Sequence, residues 1–499
     1  MNRILINILI FLSCLLLFSC AGNVSNESST RSKIAVLPLS SVNTDPAYQY
    51  VGKGLTHEVI TKMYYLKGIV VRSYGSVKDL QLSGLEQDVI AHQLDIDYLL
   101  KGNYTTGNDS LILDLELIHL PVENTIWTKH CEVSMASLFT LPEKVTREIV
   151  PEMGIKTDRD EIKKLTLDTS LDPNAYQLYL KAVAADPKTP EDWMDCIKLL
   201  ERSIELDSLY APSWTGFGHA YMEYSGLVGG RKGLYTQAEH SLVKALEVNS
   251  DLPQEIEYLG LLYAKIGKPE KAIDLLSEGA GKYPNYPGFY SGLGYVNRYA
   301  GQMDESILAY RRSQALDSGL NNLVRCQMQI LKSQIYKGDY STAKQSFGSV
   351  CANLRTLGEK PDEKQLFYAG VIHLYMKDTV EAIALFDSAY AVNPESVWTT
   401  FGQAYKALLE NNREKLLETA EELESRDIVD GERRYRMVHF YTLGEKKNEA
   451  LKHLKISVEG GFFNYPYISS DPLTVNLREK VEFRDIAELA NRRYKAFKR

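Results

Sequence analysis

The 499-residue sequence predicts a small amino-terminal α/β domain with a mixed sheet, followed by an all-α superhelix of helix hairpins. Two observations carry this. Between residues 33 and 153, short apolar runs and one alternating run (Leu111, Leu113, Leu115, Leu117) mark strands among helical segments. From Asp172 onward strand alternation stops, and helical pairs recur with a period in the mid-thirties.

Residues 1–20, MNRILINILIFLSCLLLFSC, hold one charge, Arg3, before an apolar run from Ile4 to Phe18. This is the n-region and h-region of a signal peptide, and it is short for a membrane span. Leu17-Phe18-Ser19-Cys20 resembles a bacterial lipobox, with leucine at −3, a small residue at −1 and the cysteine as first mature residue. Phe18 at −2 is larger than that family usually shows. The resemblance implies a lipid anchor on Cys20. Alanine rather than aspartate at position 21 then implies an outer-membrane lipoprotein facing the periplasm of a bacterial envelope. The alternatives are an ordinary cleaved signal or an uncleaved anchor. Residues 21–32 are small and polar and read as a flexible tether.

The α/β domain, residues 33–153, begins with a buried strand, Ile34 to Leu39. Val51, Leu55, Val59, Ile60 and Met63 recur at helical spacing, and Ile69-Val70-Val71 is a second strand. A helical piece spans Val89 to Leu94, and Tyr98 opens a third strand. Thr106-Gly107-Asn108-Asp109 is a hairpin turn before the leucine strand. Thr125 to Val133 is the last strand and Leu138 to Val150 a helix. Six pieces resemble the amino-terminal domain of TolB, in the form fused to repeats in CadC-like and adenylate-cyclase-associated proteins. They are Ala35-Val36-Leu37-Pro38, Gly54-Leu55 with Glu58 and Ile60, Tyr98 to Gly102, the Leu113, Leu115 and Leu117 strand, Ile126-Trp127, and Leu138-Phe139 leading to Ile149-Val150. The turn His119 to Asn124 departs from that pattern. The family pattern holds no catalytic residue. His57-Glu58 reads as a solvated helix face, because Thr61 stands where a second metal ligand would fall. His119, His130 and Cys131 lie on different strands, so no metal site is expected.

Residues 154–171 read as a linker or connecting helix. The array, residues 172–459, is most regular from Leu259 to Pro284, LGLLYAKIGKPEKAIDLLSEGAGKYP. Leu259, Gly260 and Tyr263 share one helix face, Gly267 and Pro269 turn the chain, and Ala272, Leu276 and Gly279 face back. That order resembles the tetratricopeptide repeat, and about eight such units are expected. The fifth (Ile330, Ala343, Phe347, Val350) is weak, and the seventh (Trp398, Phe401, Gly402, Tyr405) has an irregular second helix. The insertion Ser225 to Leu234 fails as a phosphate loop, since Arg231 and Gly233 occupy the required glycine and hydroxyl positions. Residues 460–499, with Phe462-Phe463, Asp471-Pro472-Leu473 and Leu477-Arg478, resemble the terminal segment of TolB-like fusion proteins and are expected to cap the array.

A formal net charge of −8 gives no bulk attraction to nucleic acid. The 32 tyrosines suit hairpin cores with hydroxyls at the rim. Cys326 and Cys351 fall in one unit and are candidates for pairing, against a default of free thiols. The register places Lys265, Tyr295, Arg298, Tyr299, Phe367, Tyr375, Gln403 and Lys406 along the concave groove, or packed between units. That mixture suits a peptide or extended protein segment. No cofactor, metal set, nucleophile–base pair or small-molecule site is evident, so an enzyme is not expected. The expected function is a membrane-anchored envelope scaffold that binds proteins or peptides. The alternative is a sensory or regulatory component acting through a partner.

Overall fold

The computed structural model describes residues 31–497, apart from 43–44, 79, 81–86, 108, 168, 229–231 and 427. Cys20, the apolar leader and most of the expected tether lie outside the described residues. The folded chain begins earlier than the tether reading implies: Ser32 opens the first strand, and the Arg31 guanidinium bonds to Asn285.

Six strands form one mixed sheet: β1 (Ser32–Val36), β2 (Ser40–Ser41), β3 (Ile69–Val71), β4 (Tyr98–Thr106), β5 (Ser110–His119) and β6 (Asn124–Ser134). Their order is β3-β1-β4-β5-β6, with β2 also pairing β4. β1 runs parallel to β3 and β4, whereas β4, β5 and β6 form an antiparallel meander. Alternation along β5 works as the sequence implies. Leu111, Leu113, Leu115 and Leu117 point into the core while Asp114 faces water. Helices α1 (Tyr50–Met63), α2 (Tyr74–Val77), α3 (Gln87–Leu94) and α4 (Leu141–Glu152) complete the domain.

Residues 154–171 contain a packed helix, α5 (Arg159–Thr166). A reciprocal capping box between Asp158 and Glu161 starts it, and Glu161 also accepts the Lys67 amide at 2.7 Å.

Among the described residues, sixteen helices then pair into eight hairpins, a tetratricopeptide-like superhelix. They are α6–α7 (Pro173–Ala184, Pro190–Leu206), α8–α9 (Ala211–Leu227, Lys232–Val248), α10–α11 (Pro253–Lys265, Pro269–Lys282) and α12–α13 (Pro287–Ala300, Met303–Leu316). The other four are α14–α15 (Leu320–Lys337, Tyr340–Thr356), α16–α17 (Glu363–Tyr375, Thr379–Val392), α18–α19 (Val397–Leu409, Arg413–Ser425) and α20–α21 (Gly431–Leu443, Lys447–Glu459). Close packing within a pair demands a missing side chain. A Cβ at Gly260 would sit 2.5 Å from Leu276, and one at Gly370 2.5 Å from Phe386. The helix α19 proves regular, with Leu416, Ala420 and Leu423 buried at helical spacing. Helices α8 and α9 extend into the expected insertion from both sides, leaving a short connection between Leu227 and Lys232.

The superhelix closes on itself. Hairpin α20–α21 and the capping segment return to the inner side of α12 and the turn of α10–α11. Arg298 of α12 makes a two-pronged bond with Glu432 of α20 at 2.9 and 3.1 Å. Gly461 meets Gly267 so closely that a Cβ on Gly461 would lie 2.9 Å from the Gly267 Cα. The cap comprises α22 (Tyr465–Ser470), a turn of 3-10 helix (Pro472–Leu477) and α23 (Val481–Phe497). Its Arg493 reaches Glu270 of α11 at 2.9 Å, and Phe462 and Phe463 are fully buried.

The α/β domain packs on the first hairpins. Glu58 is not on a solvated face as the sequence suggests. It is buried and accepts a hydrogen bond from Tyr179 at 2.8 Å, with Tyr210 at 3.5 Å. Asn285 donates to the Ile69 carbonyl at 2.9 Å, Ser76 donates to Asp317 at 2.9 Å, and the buried Arg72 guanidinium donates to the Leu316 carbonyl. No helix among the described residues is long and apolar enough to cross a membrane.

Candidate functional site: the inner cavity of the superhelix

Curling the hairpins into a closed turn leaves a cavity of about 650 Å³ along the inner side. First helices α8, α10, α12, α14, α16, α18 and α20 all contribute to its wall, through residues such as Glu223, Lys265, Tyr295, Lys332, Lys364, Trp398 and Arg433. Periodicity explains this. Each first helix buries one face against its own second helix, and the side chains a turn away point to the superhelix axis.

Of the groove residues expected from the sequence, Lys265 and Tyr295 line this cavity, and the other six do not. Arg298 and Tyr299 have no exposed surface, because α20 closes over α12. Tyr299 donates to Asp430 at 2.7 Å, and Arg298 is held by Glu432. Phe367 is fully buried among the rings of Phe386, Trp398, Phe401 and Tyr405. Its position is a knob between hairpins, one helical step away from the wall. Tyr375 stacks on Tyr340 at 5.1 Å and bonds to Tyr467 at 2.6 Å, so it ties the cap to the array. Gln403 is half-buried and does not line the cavity. Lys406 pairs with Asp387 at 2.6 Å, away from the cavity, and that hydrogen bond raises its pKa. Cys326 and Cys351 are free thiols, with Cys326 buried against Ser313 and Asn322.

The wall is most unusual around Trp398. Three cationic groups lie over this indole: Lys332 Nζ at 5.8 Å, Lys364 Nζ at 5.3 Å and Arg433 Cζ at 4.9 Å from the ring centroid. Lys332 also sits 4.4 Å from the Tyr368 ring. Burial pushes the Lys332 amine down to about 7. Arg298, Arg436 and Arg433 push the same way, and Glu432 opposes them. Lys364 opens to the cavity but is enclosed by the superhelix. Desolvation and then the Lys332 charge bring it down to about 8. Burial would raise the Glu432 carboxyl, but Arg298 and Lys332 outweigh it and hold this group at about 2. Sequence reading missed this cluster. Lys332 belongs to the weak fifth unit, and Trp398 reads as a core knob. The available signal was recurrence, since Lys332, Lys364 and Arg433 all stand on first helices.

Two smaller cavities lie where the α/β domain meets the array. One of about 280 Å³ is lined by His57, Tyr74, Trp193, His219 and Tyr258, among others. Within it His219 stacks on Tyr258 at 4.3 Å, and burial lowers its pKa. The other, of about 260 Å³, adds Glu257, Asp317 and Arg325. His130, considered as a metal ligand, pairs with Asp114 at 2.7 Å on the exposed sheet face.

No family model matches the chain. Over 177 residues, 35% of its length, the chain is 24% identical to a Rhizobium meliloti (strain 1021) protein named as adenylate cyclase 3. The chain spans about 30% of the length of that relative. Among solved structures it is similar to the type IV pilus biogenesis factor PilW, at 14% identity and a TM-score of 0.36, over 45% of this chain and 94% of that one. It is also similar to the Cut9–Hcn1 hetero-tetramer of the APC/C, at 13% identity and a TM-score of 0.40, over 71% of this chain and 61% of that one. The third is a thermophilic TPR protein of Thermus thermophilus, at 15% identity and a TM-score of 0.34, over 40% of this chain and 99% of that one.

Proposed function

We propose that this chain is an envelope scaffold that holds a segment of a partner protein against the inner wall of its superhelix. The observation that carries the reading is the convergence of seven first helices on one cavity. Repeated helices that present polar, cationic and aromatic side chains to a shared lumen suit an extended ligand read by several hairpins at once. The lipobox-like Leu17–Cys20 segment supports attachment to a bacterial membrane through a lipid on Cys20, with the outer membrane favoured by Ala21. The TolB-like residues and the domain order 1–20, 21–32, 33–153, 154–171, 172–459 and 460–499 are part of this reading. No cofactor or metal enters it.

The test is photo-crosslinking from position 265 in cells of the native species, with a crosslinker at position 406 as control. Enrichment of one partner from 265 and not from 406 supports the reading. The same products from both positions would sink it. Acyl labelling that disappears in Cys20→Ala tests the anchor.

Likeness to a cyclase-named relative favours a second reading, a regulatory component that acts through a partner. Deletion that leaves envelope gene expression and cyclic-nucleotide levels unchanged would remove it.

A further inference from the structure

Lys332, Lys364 and Arg433 share one corner of the cavity with Trp398 at their centre. Lys332 is only 4% exposed. Among the described residues, none of the three forms an ion pair, and all their polar atoms are donors. Three carboxylates nearby are already engaged, while Glu363 and Glu395 also line the cavity. Glu432 accepts from Arg298 and Tyr336, Asp430 from Tyr299, and Asp362 from the Gln365 amide. Glu223, also on the wall, is influenced by Lys265 and His219 ahead of Lys364 and Arg433. Arg298 and Arg436 add further positive charge behind Lys332, and Asp362 sits beside Lys364. Desolvation, and then the repulsion of like charges gathered in an enclosed corner, costs stability. The depressed pKa values of both lysines express that cost.

We propose that this corner is a binding site for a multiply charged phosphoryl anion of small-molecule size, held by Lys332, Lys364 and Arg433. Charge count selects the ligand class. One carboxylate offsets one of three cations, whereas a pyrophosphate-like group offsets at least two within the same volume. Its oxygens match both the guanidinium fork and the ammonium donors. A cavity of about 650 Å³ accommodates such a ligand with room for the organic group it belongs to. The site is built rather than superficial: its base is a buried lysine on α14, and its sides come from α16, α18 and α20. An anion there would occupy part of the wall proposed for the partner segment, so scaffold and ligand would compete or cooperate.

The experiment is calorimetric titration of the full-length chain in detergent with sodium pyrophosphate. Inorganic phosphate and a glutamate-rich peptide are the comparison ligands. One site is expected for pyrophosphate, with affinity reduced roughly tenfold or more by Lys332→Met or Lys364→Met, as loss of one charge-assisted contact implies. Lys406→Met, outside the cavity, leaves the affinity unchanged. Both cavity variants melt at or above the wild-type temperature without ligand, because each removes a crowded charge. Absence of pyrophosphate binding at millimolar concentration overturns the proposal, as does affinity that the cavity variants leave intact. Tighter binding of the glutamate-rich peptide also overturns it, and assigns the cluster to an acidic partner segment. Retained crosslinking from position 265 in Lys332→Met separates failure here from failure of the scaffold reading.

Discussion

Two buried carboxylates hold the molecule together at two junctions, and they are satisfied by different chemistry. Glu58 joins the α/β domain to the first hairpins through neutral tyrosine hydroxyls, Tyr179 and Tyr210. Glu432 joins the last hairpin to α12 through the Arg298 guanidinium and the Tyr336 hydroxyl. A neutral donor costs little to desolvate and can return to water if the junction opens. A buried guanidinium cannot be left without its partner so cheaply. Of these two contacts the one at Glu432 is therefore the stiffer and the one at Glu58 parts more readily, while the buried Arg72 guanidinium on the Leu316 carbonyl adds a second hold between the α/β domain and the array.

The sharpest way to break this contrast is Glu432→Gln, which removes the counter-charge of Arg298 and leaves it Gln329 as a neutral acceptor at 2.6 Å. It is expected to destabilise the chain by about 3–5 kcal/mol in urea titrations, whereas an effect below about 1 kcal/mol would mean that water reaches Arg298. The same carboxylate predicts acid sensitivity. Its folded pKa of about 2 lies below the ordinary glutamate value of about 4.3. The stability it contributes is thus complete above about pH 4.3 and lost as pH falls toward about 2. Denaturant midpoints measured from about pH 6 to about pH 3 should fall in the wild type and flatten in Glu432→Gln.

Glu58→Met comes next. Two tyrosine hydroxyls lose their acceptor, at a cost of about 1–3 kcal/mol, and the loss should appear as faster proteolysis between the α/β domain and the array. Cleavage within the array instead would contradict the idea of a separable joint.

Lys332→Met has the opposite sign. Removing a charge that burial disfavours should leave stability unchanged or raise it by about 1–2 kcal/mol at about pH 6. With a folded pKa of about 7 against about 10.4 unfolded, the unfolded chain binds the extra proton between those values. Wild-type stability therefore rises with pH across that window, and the variant should lose this rise. Thermal melts at about pH 6 and about pH 9 measure it. The smallest effect belongs to Arg493→Ala. Its bond to Glu270 is partly solvated, so the ionic part should stay below about 1 kcal/mol and disappear at high salt, leaving the loss of its bond to the Val458 carbonyl and its contact with the Phe463 ring.

Local patterning made most of this architecture legible. The strand pattern of Leu111 to Leu117 and the hairpin at Leu259–Pro284 read directly, because each buries its apolar face against immediate neighbours. The abundance of tyrosine also has its reason: Tyr179, Tyr210 and Tyr299 bury their rings while their hydroxyls bridge to distant carboxylates. What sequence spacing did not show was curvature. Whether Arg298 and Tyr299 face a groove depends on how far the hairpin-to-hairpin rotations accumulate, and those rotations carry α20 back onto α12. Glu58 failed for a related reason, since it touches a surface remote in sequence, whereas Phe367 sits one helical step off the wall, between its own hairpin and the next. The cation cluster at Trp398 stayed hidden because its members come from three different units.

The approach of Gly461 to Gly267 bears on how the chain melts. An open solenoid transmits stability only between neighbours, and its ends fray independently. Here the turn of the third hairpin is clamped to the segment after the eighth, at a pair of backbones where no side chain fits. Fraying from the carboxyl end must first release that clamp, and releasing it frees the third hairpin as well. Hydrogen exchange should accordingly show α10–α11 and α20–α21 opening together, as one cooperative unit spanning most of the array.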